Sequence, residues 1–262
     1  LNEVISLHLE RAEPPFQPDQ RVGMSEGMQL KGLFHGQIDC IVYYSGNYWT
    51  LVMKRDEIAS REEMEARITE HLQERGVRYV GGLGFENAYV FAMPKTTKRP
   101  PELQHIRTIA DLARYAGEAA HSNRRPLRIA GDLQFFGRPE WVNDKRVYQI
   151  EDAWFEKKAM DATRPYDAVD SGEVDLIVAY TTDARIPLYE LEMLDDNLKV
   201  LPRYDAVLLV SERGAAKPGL LDRLEQLVGA ISDSRMVTAN RGVDVQKRSI
   251  RDVAAELLEQ TP

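Results

Sequence analysis

Tyrosine is the residue type in this chain whose number and placement could do chemistry. Eleven Tyr outnumber seven Phe, and four of them, Tyr44, Tyr89, Tyr180 and Tyr204, stand at the ends of short apolar runs. A phenol ring carries negative potential over its face. Rings that converge on one spot can therefore hold a quaternary ammonium, a cation with no hydrogen to donate. Each ring would contribute about 0.5–2 kcal/mol in a desolvated site, and four could carry much of the roughly 8 kcal/mol of micromolar binding. The plainer reading of any one such tyrosine is a buried ring with a wet hydroxyl. Bond-making chemistry is scarcer. No nucleophile elbow is expected, and neither His-Glu-x-x-His nor a Walker-type Gly-Lys-Ser/Thr occurs. The five histidines are scattered. Cys40, in an apolar run, reads as a small hydrophobe. Gly81-Gly82-Leu83-Gly84 reads as a turn rather than a phosphate cradle, and Asp195-Asp196 as a cap in a polar turn. The expectation is a binding protein, not an enzyme, with no cofactor and no metal.

The elements that must position these rings alternate between helix and strand signals, the pattern of an α/β fold. Ser60 with Glu63 makes a capping box for a helix that Gly76 can close. Ser25 opens another that ends at Gly36, and Thr163 with Pro165 opens one that ends at Gly172. Ser249 with Asp252 starts a C-terminal helix. Runs 37–43, 87–93, 127–130, 174–180 and 206–210 read as buried strands. The polar, Pro-rich stretch 95–101 reads as a surface connection.

One internal similarity ties rings to elements. Gly36-Gln-Ile-Asp-Cys-Ile-Val-Tyr-Tyr44-Ser45 aligns without a gap to Gly172-Glu-Val-Asp-Leu-Ile-Val-Ala-Tyr180-Thr181. Each has a glycine helix stop, an acidic residue, an apolar strand and a closing Tyr-hydroxyl pair. That pair falls at the C-terminal edge of its strand, where open α/β sheets bind ligands. The Tyr-led strands 87–93 and 204–210 form a second, weaker pair. If they are crossovers, lobe I is discontinuous (1–93 and 204–262), lobe II is 94–203, and a hinged cleft offers tyrosines from both.

Composition bounds the partners. The 262 residues carry 34 Lys and Arg against 42 Asp and Glu, a formal net charge of −8. A nucleic-acid binder needs a basic face, so none is expected as a partner. No apolar run approaches the roughly 20 residues of a membrane span. The single cysteine excludes a disulfide framework. Leu1 is not an initiator Met, and a processed or trimmed chain is expected.

The sequence resembles the substrate-binding proteins of ABC importers for osmoprotectants, the glycine betaine/choline/carnitine family. The resemblance rests on Gly36-Gln-Ile-Asp39 with Tyr43-Tyr-Ser-Gly46, Leu83-Gly-Phe-Glu-Asn-Ala-Tyr89, Thr108-Ile-Ala-Asp-Leu112 and Phe135-Phe-Gly-Arg-Pro139. It continues through Tyr180-Thr-Thr-Asp183, Leu194-Asp-Asp196, Leu201-Pro-Arg-Tyr204, Asn240 and Val243-Asp244. It implies a two-lobed type II periplasmic-binding-protein fold of α/β class, hinged by two crossover strands. It implies a cage of Tyr44, Tyr89, Tyr180 and Tyr204, with Arg138 gripping a ligand carboxylate and Asn87, Asn47 and Thr182 beside them. It implies a small quaternary-ammonium ligand, an ABC permease transmembrane subunit as partner, a monomer, and a periplasmic or extracellular membrane-associated location. The family's first strand and its carboxylate-binding loop have no match here, and Asn47 stands where the family has Thr, so a carboxylate-free ligand such as choline stays open. A ligand-sensing regulatory module of the same fold, or a transferase-like enzyme on a two-lobed α/β fold, are the other readings.

Overall fold

The computed structural model describes residues 1–122, 124–161 and 163–259. The chain divides into two units, one made of Leu1–Arg55, Ala59–Asn87 and Arg203–Pro262, the other of Asp56–Ile58 and Ala88–Pro202. Each has its own sheet.

The first unit holds β1 (Cys40–Tyr44), β2 (Val77–Glu86) and β8 (Asp205–Ser211); the second holds β3 (Tyr89–Pro94), β4 (Leu127–Asp132), β5 (Phe155–Met160), β6 (Leu176–Tyr180) and β7 (Leu191–Met193). Strand order is β1-β8-β2 in the first sheet and β5-β4-β6-β3-β7 in the second. β8 runs antiparallel to both neighbours. In the second sheet β4 is parallel to β5 and β6, and β3 is antiparallel to β6 and β7.

Side-chain alternation explains why β8 is central. Ala206, Leu208 and Val210 enter one core, with Leu220, Leu224 and Leu257. Val207 and Leu209 enter the other, with Trp49, Ile68 and Leu72. A strand buried on both faces must be apolar at every position rather than every second one. β1 follows the same period: Ile41 and Tyr43 belong to the second core, while Cys40, Val42 and Tyr44 pack against the first.

Helix starts follow their sequence signals in most places. Ser60 Oγ accepts the Glu63 N–H at 3.1 Å, ahead of the helix Arg61–Gln73. Ser249 Oγ accepts the Asp252 N–H at 3.1 Å. Thr163 makes no side-chain cap, and Pro165 in the first turn marks the start of Arg164–Asp170 instead. Gly81 to Gly84 is not a turn but the irregular middle of β2, with register shifts after Tyr79 and Gly82. A Cβ on Gly84, whose φ is +109°, would lie 2.8 Å from the Ile231 carbonyl oxygen. The glycine therefore serves close packing of the loop that follows residue 228, which bonds β2 through Gly229 N–H to Gly82 O and Ile231 N–H to Leu83 O.

The internal similarity is structural to the level of single hydrogen bonds. Gly36 and Gly172 have φ of +63° and +71°. After each, two successive N–H groups turn back to one helix carbonyl: those of Gln37 and Ile38 to Gly32, those of Glu173 and Val174 to Ala168. Then β1 and β6 begin. The order β1-β8-β2 thus matches β6-β3-β7, all antiparallel. β6 also pairs with β4 on its other side, whereas β1 is an edge. A cavity of about 420 Å³ lies along that edge, lined by Ile5, Leu9, Phe16, Cys40, Ile41 and Leu220 among others.

Candidate functional site

In the second unit the ends of three strands meet. Tyr180 closes β6, Tyr89 opens β3, and the two are directly paired across the ladder. Their ring centroids are 4.8 Å apart with planes inclined at 34°. A stack this tight leaves no space for a cation between the rings, so the pair presents one outer face rather than two opposed walls. Tyr89 is 7% exposed and Tyr180 half-buried. Phe135 lies 5.0 Å from Tyr89, centroid to centroid, and continues into a buried aromatic core with Phe91 and Trp141. That core fixes the ring pair from behind.

The hydroxyls form a relay. Tyr180 Oη is 3.2 Å from Asp132 Oδ2 and 3.1 Å from Tyr89 Oη. Tyr180 has one hydrogen to give and the carboxylate can only accept, so Tyr180 donates to Asp132 and Tyr89 donates to Tyr180. Asp132 Oδ1 accepts the N–H groups of Gln134 and Phe135, each at 2.8 Å. Burial first, then donation to Tyr180, pushes the Tyr89 phenol far above its ordinary range. Burial likewise raises that of Tyr180, against the bond it accepts from Tyr89. Both stay neutral phenols at any physiological pH.

Arg138 lies over the Tyr89 ring, its Cζ 5.2 Å from the centroid. Its guanidinium holds Glu140 through Nε to Oε2 at 3.1 Å and Nη2 to Oε1 at 3.0 Å. Glu140 is fully buried, and the Arg138 side chain is 12% exposed. The arginine is thus already neutralised by a carboxylate of its own chain. Thr182 is buried. Beside it, Thr181 Oγ1 accepts the Ala88 N–H at 3.1 Å and the Thr181 N–H returns to Ala88 O at 2.9 Å, pinning Tyr180 to the start of β3.

The first unit repeats the device. Ser45 Oγ donates to Arg203 O at 3.0 Å and accepts the Asp205 N–H at 2.9 Å, so the hydroxyl after Tyr44 anchors the start of β8. In both halves of the repeat, therefore, the Ser/Thr position is structural. Tyr204 is 3% exposed, and its ring lies against Gly46, where a Cβ would meet ring carbons at 2.7–2.8 Å. Tyr44 is half-buried. Asn47 Nδ2 donates to both oxygens of Glu26, at 3.1 and 3.2 Å. The Asn87 N–H donates to Tyr204 O at 2.9 Å. The structure brings Tyr89, Tyr180 and Arg138 together in one unit, and Tyr44, Asn47, Asn87 and Tyr204 fall in the other.

Sequence reasoning missed Asp132 and Glu26. Asp132 stands at the C-terminal end of β4, and the strand-end rule that selected Tyr180 would have selected it. Glu26, after the capping Ser25, read only as a helix start. Asp196 is more than a turn cap: it accepts Tyr148 Oη at 2.5 Å and the Leu201 N–H at 2.8 Å. Cys40 is half-buried, and burial raises its thiol to about 11, far from a reactive thiolate. The spacing Gly-x-Ser-x-Gly does occur, at Gly23–Gly27, but it follows a loop rather than a strand. Its Ser25 accepts the Met28 N–H at 3.4 Å as the cap of the helix Glu26–Phe34. That is not the strand-to-helix turn of a nucleophile elbow. Among the described residues, no group of three or more His, Cys, Asp or Glu is placed to hold a metal, and no helix is long and apolar enough to cross a membrane.

Residues 3–260 match the family described as the substrate-binding domain of ABC-type glycine betaine transport systems. The chain belongs to that family. Its members are solute-binding proteins that work with ABC permease components. The chain is 27% identical over 262 residues to the ergothioneine transport permease/ergothioneine-binding protein EgtU of Helicobacter pylori, covering 99% of this chain but only 45% of that protein. It is 25% identical over 228 residues to a glycine-betaine-binding protein of Pseudomonas aeruginosa, covering 86% and 72%. The crystal structure of a glycine betaine/carnitine/choline ABC transporter protein superposes with a TM-score of 0.81 at 24% identity, over 98% of this chain and 92% of that one. The lactococcal OpuAC structure, closed on glycine betaine, superposes with a TM-score of 0.60 at 12% identity, over 98% and 91%. The fold is that of a type II periplasmic binding protein.

Proposed function

We propose that this chain is a non-enzymatic solute receptor that captures a small quaternary-ammonium compound and delivers it to the membrane subunit of an ABC importer. The observation that carries the reading is the Tyr89–Tyr180 ring pair at the strand ends of the second unit, its hydroxyls fixed by Asp132 and its rear packed on Phe135. Rings held by a rigid aromatic core offer a ready electron-rich face at little entropic cost. Tyr44 and Tyr204 are proposed as the ring faces of the first unit. Family membership supports export to the periplasm or cell surface, and the names of the relatives and of the similar solved structures support a trimethylammonium ligand of the glycine betaine, carnitine, choline or ergothioneine kind.

Isothermal titration calorimetry with those four compounds tests the reading. At least one is expected to bind well below millimolar, and folded protein that binds none overturns it. Tyr180→Ala is expected to weaken binding about tenfold or more, the worth of one desolvated cation–π contact. Unchanged affinity removes that ring from the site.

A further inference from the structure

The relay that ends on Asp132 also decides the charge balance around the ring pair. Of the acidic groups near it, Asp183, whose N–H donates to Tyr180 O at 2.9 Å, is paired with Arg185 at 3.2 Å. Glu140 is fully buried and bound in bidentate fashion by Arg138, so that pair sums to zero. Asp132 differs. All three of its contacts are donated to it, two by backbone amides and one by the Tyr180 hydroxyl, the pattern of an ionised carboxylate. Among the described residues no Lys, Arg or His forms an ion pair with it. The ring pair therefore has a carboxylate with no ion-pair partner a single phenol away, while the Arg138 and Arg185 guanidiniums are already committed to Glu140 and Asp183.

Resting on the receptor reading above, we infer that Asp132 determines specificity: its charge biases the site toward ligands of net positive charge, choline-like cations, over zwitterionic betaines. The attraction of a fixed charge for a monopole falls as the inverse of distance, whereas a zwitterion's carboxylate cancels most of it within a few ångströms. Asp132 also acts as a positioning residue, because its bond to Tyr180 sets the orientation of the ring that meets the ligand. The two roles separate experimentally, since an amide keeps the acceptor and loses the charge.

The experiment is calorimetry of the whole chain with choline and with glycine betaine, for the wild type, Asp132→Asn, Asp132→Glu and Asp132→Ala, with thermal unfolding confirming that each is folded. Asp132→Asn is expected to weaken choline about tenfold and glycine betaine by less than about threefold, at a partly exposed site of intermediate effective dielectric. The ratio of the two dissociation constants then moves toward betaine. Asp132→Glu keeps the charge and is expected to keep the wild-type ratio even where both affinities fall. If Asn and Ala weaken both ligands by one common factor, or leave both unchanged, while the wild type binds, the charge role is wrong and the receptor reading stands. If the wild type binds neither compound nor any other quaternary amine, the receptor reading fails and takes this inference with it.

Discussion

Asp144 lies on the helix Pro139–Val147, fully buried, with neither carboxylate oxygen hydrogen-bonded. Burial first, then the negative charges of Asp196 and Glu140, raises its pKa well above the carboxylate range. The folded protein therefore holds a neutral acid there. A group whose pKa is higher folded than unfolded contributes stability below its unfolded pKa and loses it as pH rises toward the folded value. Asp144→Asn should raise the melting temperature at pH 7 by roughly 3 °C, and the gain should vanish below about pH 4, where both states of the wild type are protonated. Parallel melting curves from pH 4 to pH 8 would refute a neutral Asp144. Residues of this kind are illegible in a sequence. Asp144 reads as one more solvated helix acid, and only the tertiary neighbours make it otherwise. Tyr180 and Tyr89 were legible because strand-end position is a local property. The commitment of Arg138 to Glu140 was not, although the two stand only two positions apart.

Among the elements, the duplicated helix-stop and strand carries most of what the sequence makes readable. Its glycines and its closing hydroxyl play the same parts in both units, because each satisfies a local requirement: a positive φ and a backbone donor to accept. Its acidic position was noticed but not explained. Asp39 pairs with Arg213 and Lys217, and Asp175 with Arg125 and Arg128, at 2.6–2.9 Å. For Asp175, whose side chain is 6% exposed, burial alone would raise the pKa. The bonds from Arg125 and Arg128 win and hold it at about 2. A depressed carboxylate stabilises the fold above its unfolded pKa and loses that contribution as pH falls through the folded one. Asp175→Asn is expected to cost about 2 kcal/mol at pH 7, measured by urea unfolding. The wild type, unlike the variant, should lose this increment between about pH 4 and pH 2. The elements misjudged are those whose form depends on distant chain. β2 looked like a turn because its glycines answer to the loop after residue 228, and β5 and β7 lack long apolar runs because one is a mostly exposed edge and the other is three residues long.

Over the whole molecule the two units differ in how their sheets can be assembled. The second is built from one stretch, Ala88–Pro202, apart from three residues. In the first, among the described residues, β1 and β2 do not pair with each other and each pairs only with β8, so that Ser45 waits for Asp205, 160 positions along the chain. Closing a loop of that length through an unfolded segment costs entropy, and the cost falls once the intervening chain has compacted. The Asn87 N–H bond to Tyr204 O spans just that interval. Pulse-labelled hydrogen exchange during refolding should find β3, β4 and β6 protected before β8, and protection of β8 first would refute that order. The same connectivity reaches back to synthesis. On a ribosome, residues 1–87 would hold two strands with no common partner until the codons for residues 205–211 had been read. Meanwhile the inner body, complete by then, would already be folding. Until that last strand arrives, Tyr44 has no β8 to pair with, so the β1 end of the first sheet takes shape only after the second unit has had time to fold.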